Sequence, residues 1–183
     1  MKKTAQVRTS GFTLVELLVV IAIIAILAAV VVLIINPLEL TKRGRDAARL
    51  TDLANLQSAI VVAIQEATGS GTVDILCVGG LTSGVCRGDS VTGTRNSNGT
   101  GWSKVNLSAQ KSVSIPTLPQ DPVNDTINHY TYCSDGNAWE INTKLESSQQ
   151  SSKMITDGGD DPVLYEVGSN LGLIKPSGGS CTY

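Results

Sequence analysis

Glu16 is the one charged residue in an apolar run that extends from Phe12 to Ile35. A lone carboxylate inside such a segment is costly unless it is partnered, so it either pairs with a cation or, lying four residues inside the run, reaches back to the headgroup level of a membrane. A second carboxylate set, Asp157, Asp160 and Asp161 in the Gly-rich TDGGDDP, offers the oxygen ligands that calcium takes, though without the spacing of an EF-hand loop. A solvated acidic turn is the competing reading. His129 is the single histidine, and no nucleophile elbow or other local signature accompanies it, which places it on a strand rather than in a catalytic triad.

Cys77, Cys86, Cys133 and Cys181 lack the paired C-x-x-C spacing of a zinc or redox site, and an even count beside an export-type N-terminus reads as two disulfides formed in an oxidising compartment. Three connectivities are open. The favoured one joins Cys77 to Cys86 across a short Gly-rich loop and Cys133 to Cys181, which pins the C-terminal segment.

The elements that must carry these groups follow from pattern. Phe12 to Ile35 is 24 residues, and as a helix it spans about 36 Å, enough to cross a bilayer. It is too long for the apolar core of a cleavable secretory signal and holds no A-x-A site. Lys2, Lys3 and Arg8 precede it, while Lys42, Arg43, Arg45 and Arg49 follow, so charge asymmetry does not orient the span. Asn36-Pro37 predicts a kink or short unwinding, because proline lacks an N–H and crowds the preceding turn.

From Glu39 the pattern is amphipathic: Leu53, Leu56, Ile60, Ile64 and Ala67 recur at spacings of three and four, ending at a C-capping Gly69. The charges from Lys42 to Asp52 read as a solvated face, with intersubunit ion pairs or anionic headgroups as the alternative uses. Beyond Gly69, TVDILCV, SVSI, HYTYC, AWEINTKL and VLYEV read as strands and SDGN as a hairpin turn, with RGDSVTGTRNSNGTGWS as an exposed loop. One long helix followed by strands indicates an α+β fold on a mainly antiparallel sheet.

The chain carries 14 Lys and Arg against 16 Asp and Glu; setting aside the three basic residues ahead of the span leaves 11 against 16. An acidic balance argues against a general nucleic-acid binder. Arg87, Arg95, Lys104 and Lys111 around Trp102 read as solvating charge rather than as a track for DNA.

The string SGFTLVELLVVIAIIAIL behind a short basic leader resembles the prepilin signature of type IV pilins and type II secretion pseudopilins, over Ser10 to Val31. LPQDPVND resembles the Leu-Pro-x-Asp-Pro turn of major pseudopilins and related pilins, where two prolines flanking Asp121 hold an extended turn. The resemblance implies cleavage after Gly11 by a prepilin peptidase that also methylates the new amine of Phe12. It further implies pairing of Glu16 with the Phe12 amine of a neighbouring subunit, and calcium in the C-terminal acidic loop. It implies a homo-oligomeric helical filament raised from the lipid bilayer by an inner-membrane assembly platform, with an extracytoplasmic head and no enzymatic activity.

The expected organisation is a leader over 1–11, a membrane and polymerisation helix over 12–36, an amphipathic helix over 37–69 and a β-rich head over 70–183. A pilus subunit is the leading reading. A secretion pseudopilin is the alternative within the class, and a permanently anchored extracellular binding protein is the alternative outside it.

Overall fold

The computed structural model describes residues 11–67, 72–81, 86–112, 115–176 and 181. The chain forms two compact units, one through Leu40 and one from Thr41 onward. In the first, α1 runs from Leu14 to Ile35 over 22 residues, about 33 Å at the α-helical rise. The run is apolar on every side, and within the span Leu14–Val32 none of it is buried by the rest of the chain.

α1 stops where the Asn36-Pro37 pair predicts. Asn36 takes the left-handed conformation, φ 39°, and Pro37 opens the next helix, α2 (Pro37–Glu66). Proline disfavours the α conformation at the residue before it and is itself well suited to a first helical position. Asn36 O then accepts from Glu39 N and Leu40 N at 3.1 and 3.2 Å, so the break in one helix starts the other.

In the second unit, Leu53, Leu56, Ile60 and Ala63 of α2 are fully buried and pack with Trp102, Tyr130, Tyr132, Trp139 and Ile141. The sheet is antiparallel throughout, in the order β1 (Cys86–Asp89), β2 (Thr131–Ser134), β3 (Trp139–Thr143), β4 (Tyr165–Gly168). An α+β layout is therefore present. Alternation sorts the strand residues by face: Tyr132, Trp139, Ile141 and Val167 join the core beside α2, while Cys133 meets Leu173 and Ile174 on the other side. Both faces are covered, which is why β2 and β3 are buried at every position. The β2–β3 turn is the expected SDGN, with Gly136 at φ 87° and the Asp135 carboxylate accepting from Asn137 N and Ala138 N.

Three local expectations are corrected. TVDILCV forms a short helix, α3 (Thr72–Leu76), not a strand. The edge of β2 that it could have joined is taken by β1. The stretch expected as an exposed loop supplies that edge strand and then folds inward. Trp102 is fully buried with its indole N–H donating to Pro119 O at 2.9 Å, and Gly88 lies so close to the Trp102 backbone that a Cβ would collide with it. In SVSI, Ser112 and Ile115 lie outside any strand, and the two residues between them are outside the described residues, as is Gly69.

The structure joins Cys77 to Cys86 and Cys133 to Cys181, with Cα separations of 5.8 and 6.0 Å. The second bridge holds the C-terminal segment on the face of β2 away from the core. Replacing Cys133 and Cys181 together by serine is expected to cost about 3 kcal/mol of stability, the usual scale for a long closed loop. Denaturation followed by the fluorescence of Trp102 and Trp139 measures it, and an unchanged midpoint refutes the assignment.

Candidate functional site

The N-terminus of α1 is built around Thr13 and Glu16. Thr13 adopts an extended N-cap conformation, its hydroxyl oxygen accepting from Glu16 N at 3.2 Å. Glu16 Oε2 accepts in return from Thr13 N at 2.8 Å and from the Thr13 hydroxyl at 2.7 Å. This reciprocal capping box satisfies two of the orphan N–H groups of the first turn and places a carboxylate at the positive end of the helix dipole. The Thr-x-x-Glu spacing announces it in the sequence. Both Thr13 bonds fall on one oxygen, Oε2.

Phe12 stands just ahead of the cap and is 91% exposed. At Gly11 a Cβ would meet nothing within 4 Å, and the backbone there is not left-handed. No demand of this fold requires glycine at that position, so the requirement that the resemblance implies comes from outside the subunit.

The second unit holds an ionic site on the helix face expected to be solvated. Asp46 and Arg49 are fully buried. The Arg49 guanidinium donates through Nε and Nη2 to the two oxygens of Asp121 at 2.6 and 2.9 Å, and through Nη1 to Asp46 at 2.9 Å and Glu146 at 2.7 Å. Arg45 closes on Glu146 with a second two-point contact at 2.7 and 2.9 Å. Asp46 in turn accepts from the backbone N–H groups of Glu146 and Ser147, and Asp121 from those of Val123 and Asn124.

A buried cation of this kind is tolerable because each of its three nitrogens has a charge-assisted partner. Two-point contact with Arg45, reinforced by Arg49, holds Glu146 down to about 2 despite partial burial. Burial alone would push Asp121 up, but Arg49 and the two backbone donors more than offset it and its value is lowered. The role expected of LPQDP is thereby enlarged: its aspartate caps the turn and also anchors α2. The correction to the solvated-face reading has a legible cause, since positions 46, 49, 53, 56, 60 and 63 continue one spacing of three and four.

The acidic loop is held by its own hydrogen bonds. Asp157 accepts from Gly159 N and Glu166 N, and Asp161 accepts from Val163 N while its own N–H donates to Glu166 Oε2. Among the described residues no group of three His, Cys, Asp or Glu side chains is placed to hold a metal.

Beside that loop lie Glu140 and Glu166, diagonal neighbours on β3 and β4, both buried. Oε1 of each lacks any donor. Burial and their mutual proximity push both carboxyls up from their ordinary value. Burial first, then the neighbouring carboxylate and Asp160, push Glu166 up to about 8.

A raised carboxyl stabilises the fold fully below its ordinary 4.5 and loses that contribution as pH climbs towards 8. Glu166→Gln, which keeps a donor in place, is therefore expected to flatten the fall in stability over that range and to unfold at higher denaturant than the parent at pH 8. An unchanged pH profile of the unfolding midpoint contradicts the raised carboxyl of Glu166.

His129, expected on a strand, sits one residue before the buried Tyr130 and just ahead of β2, its Nδ1 3.1 Å from Asp125 O. No curated protein and no solved structure matches the chain. Residues 7–32 match the family model of the prokaryotic N-terminal methylation motif. An exposed, wholly apolar helix, a capped glutamate in its first turn and that match agree: the chain carries the prepilin-type signature of type IV pilins and pseudopilins, proteins that serve as structural subunits rather than enzymes.

Proposed function

We propose that the chain is the subunit of a type IV pilus-like filament. Made as a membrane precursor with its head outside the cytoplasm, it is cut after Gly11, methylated on the amine of Phe12 and assembled through α1. The observation that carries this reading is the state of α1: apolar on all sides and, among the described residues, unburied over Leu14–Val32. Such a helix requires either lipid or other helices around it. Polymerisation exchanges the first for the second.

Cleavage converts the Phe12 peptide nitrogen into a cation, the group that the Glu16 carboxylate of a neighbouring subunit needs in a dry interior. The pairing sets the axial register of one subunit on the next. The two disulfides accord with an oxidising space outside the cytoplasm.

The test is the intact mass and N-terminal residue of the protein isolated from its host. A chain beginning at methylated Phe12 supports the filament subunit. An intact Met1 leader in a host with an active prepilin peptidase overturns it and leaves a permanently anchored extracellular protein.

A further inference from the structure

A cavity of about 480 Å³ opens on the face of the sheet opposite the Tyr132–Ile141 core. Its floor is the directly paired Thr131 and Asn142 of β2 and β3. Arg87 of β1, His129 ahead of β2 and Lys144 after β3 bring three basic side chains to its wall. Ile127 and Val163, 61% and 55% exposed, form an apolar rim on the remaining sides.

Three features mark this as a binding site rather than a surface dip. Asn142 is 3% exposed, yet its Nδ2 donor has no hydrogen-bond partner. A buried donor left unmatched costs about 1–3 kcal/mol, which an incoming acceptor would recover. Among the described residues, neither Arg87 nor Lys144 has a hydrogen-bond or ion-pair partner, so both charges are free for a ligand. His129 spends Nδ1 on Asp125 O and leaves Nε2 uncommitted. The volume lies in the range of small-molecule pockets, roughly 300–1,000 Å³.

The charge balance selects among anions. Asp161, the one acidic side chain on the wall, is buried and already accepts from Val163 N at 2.9 Å. Its negative charge opposes a phosphate dianion more strongly than a carboxylate. We infer that this cavity binds a carboxylate-bearing ligand with an apolar flank, the carboxylate lying between Arg87 and Lys144, a further oxygen on Asn142 Nδ2 and the apolar part against Ile127 and Val163. Nothing in this inference depends on filament assembly.

The full chain in detergent micelles, labelled with ¹⁵N, is titrated with N-acetyl-leucine and separately with N-acetyl-leucinamide, which has the same shape and no charge. The expected result is a saturable shift of the Asn142 side-chain amide with the acid at millimolar concentration. The amide probe should bind about tenfold more weakly, the equivalent of one charge-assisted hydrogen bond. Arg87→Gln combined with Lys144→Gln, two exposed positions that leave the fold intact, is expected to weaken the acid by a similar factor. Failure of the Asn142 signal to saturate with the acid, equal affinity for acid and amide, or an undiminished affinity in the double variant each overturns the inference. Tighter binding of inorganic phosphate than of the acid overturns the carboxylate assignment.

Discussion

Replacing Arg49 by methionine is expected to lower the stability of the second unit by about 3–5 kcal/mol, the cost of breaking a buried ion pair from one side. Methionine fills most of the arginine stem's volume, so the loss is electrostatic rather than a cavity. Asp121 would lose both side-chain donors it receives from Arg49, Asp46 would lose its side-chain partner and Glu146 one of two cations, with Asp46 and Asp121 buried. Denaturant unfolding followed through the buried Trp102 and Trp139 reads the change. A loss below about 1 kcal/mol, the scale of an exposed pair, would mean that the network is not formed in solution.

The same site predicts an acid limb. Glu146 and Asp121 have folded values below their ordinary ones, so their contribution is complete above about 4.5 and is lost as pH falls through the folded values, near 2 for Glu146. In Arg49→Met this limb is expected to be shallower, with Arg45 alone left to hold Glu146. The network should also not be mistaken for a large source of net stability. Replacing all its members by well-packed apolar residues would be close to neutral, and its distinctive effect is to fix α2 against the Asp121 turn and the segment after β3.

Glu16→Ala is expected to leave the second unit as stable as the parent while reducing filament yield at least tenfold. The structure supplies the reason for the first half, and the proposed filament that for the second. Among the described residues Glu16 bonds only to Thr13, through a single carboxylate oxygen, and it is not part of the core around Trp102. In a fibre of packed apolar helices, its absence would leave the Phe12 amine of a neighbouring subunit as an unpaired cation in a dry interior, a penalty of several kcal/mol per subunit. Glu16→Asp, one methylene shorter, should recover part of the yield.

Sheared filaments weighed against membrane-retained subunit give the ratio. Parental yield from Glu16→Ala would refute the register role while leaving processing at Gly11 untouched. Gly11 itself divides the two kinds of demand: since its Cβ space is open, a bulkier residue should fold normally and fail only at the cut.

Much of the architecture was readable from residue order alone. Phe12 to Ile35 is apolar without interruption except at Glu16, and no tertiary contact is needed to make such a run a helix suited to a membrane. Asn36-Pro37 ends it for reasons internal to two residues. The stripe Leu53, Leu56, Ile60 and the strands around HYTYC, AWEINTKL and VLYEV were visible because periodicity reports which side of an element faces the core.

Tertiary structure decided the rest, and the failures share a cause. Arg49 and Asp46 lie in phase with the apolar stripe, yet a charged residue on a helix reads as solvated until its partners are known, and Asp121 and Glu146 lie 72 and 97 residues from Arg49. CRGD became β1 and TVDIL became α3 because one stretch took the edge of β2 and the other was left to pack where a disulfide holds it. The Arg87, Asn142 and Lys144 cavity likewise exists only once β1, β2 and β3 are side by side. Local order determines an element's kind and its apolar face; which distant charge or sheet edge it meets is a property of the packed chain, because burial converts a solvated ion into one that must be matched.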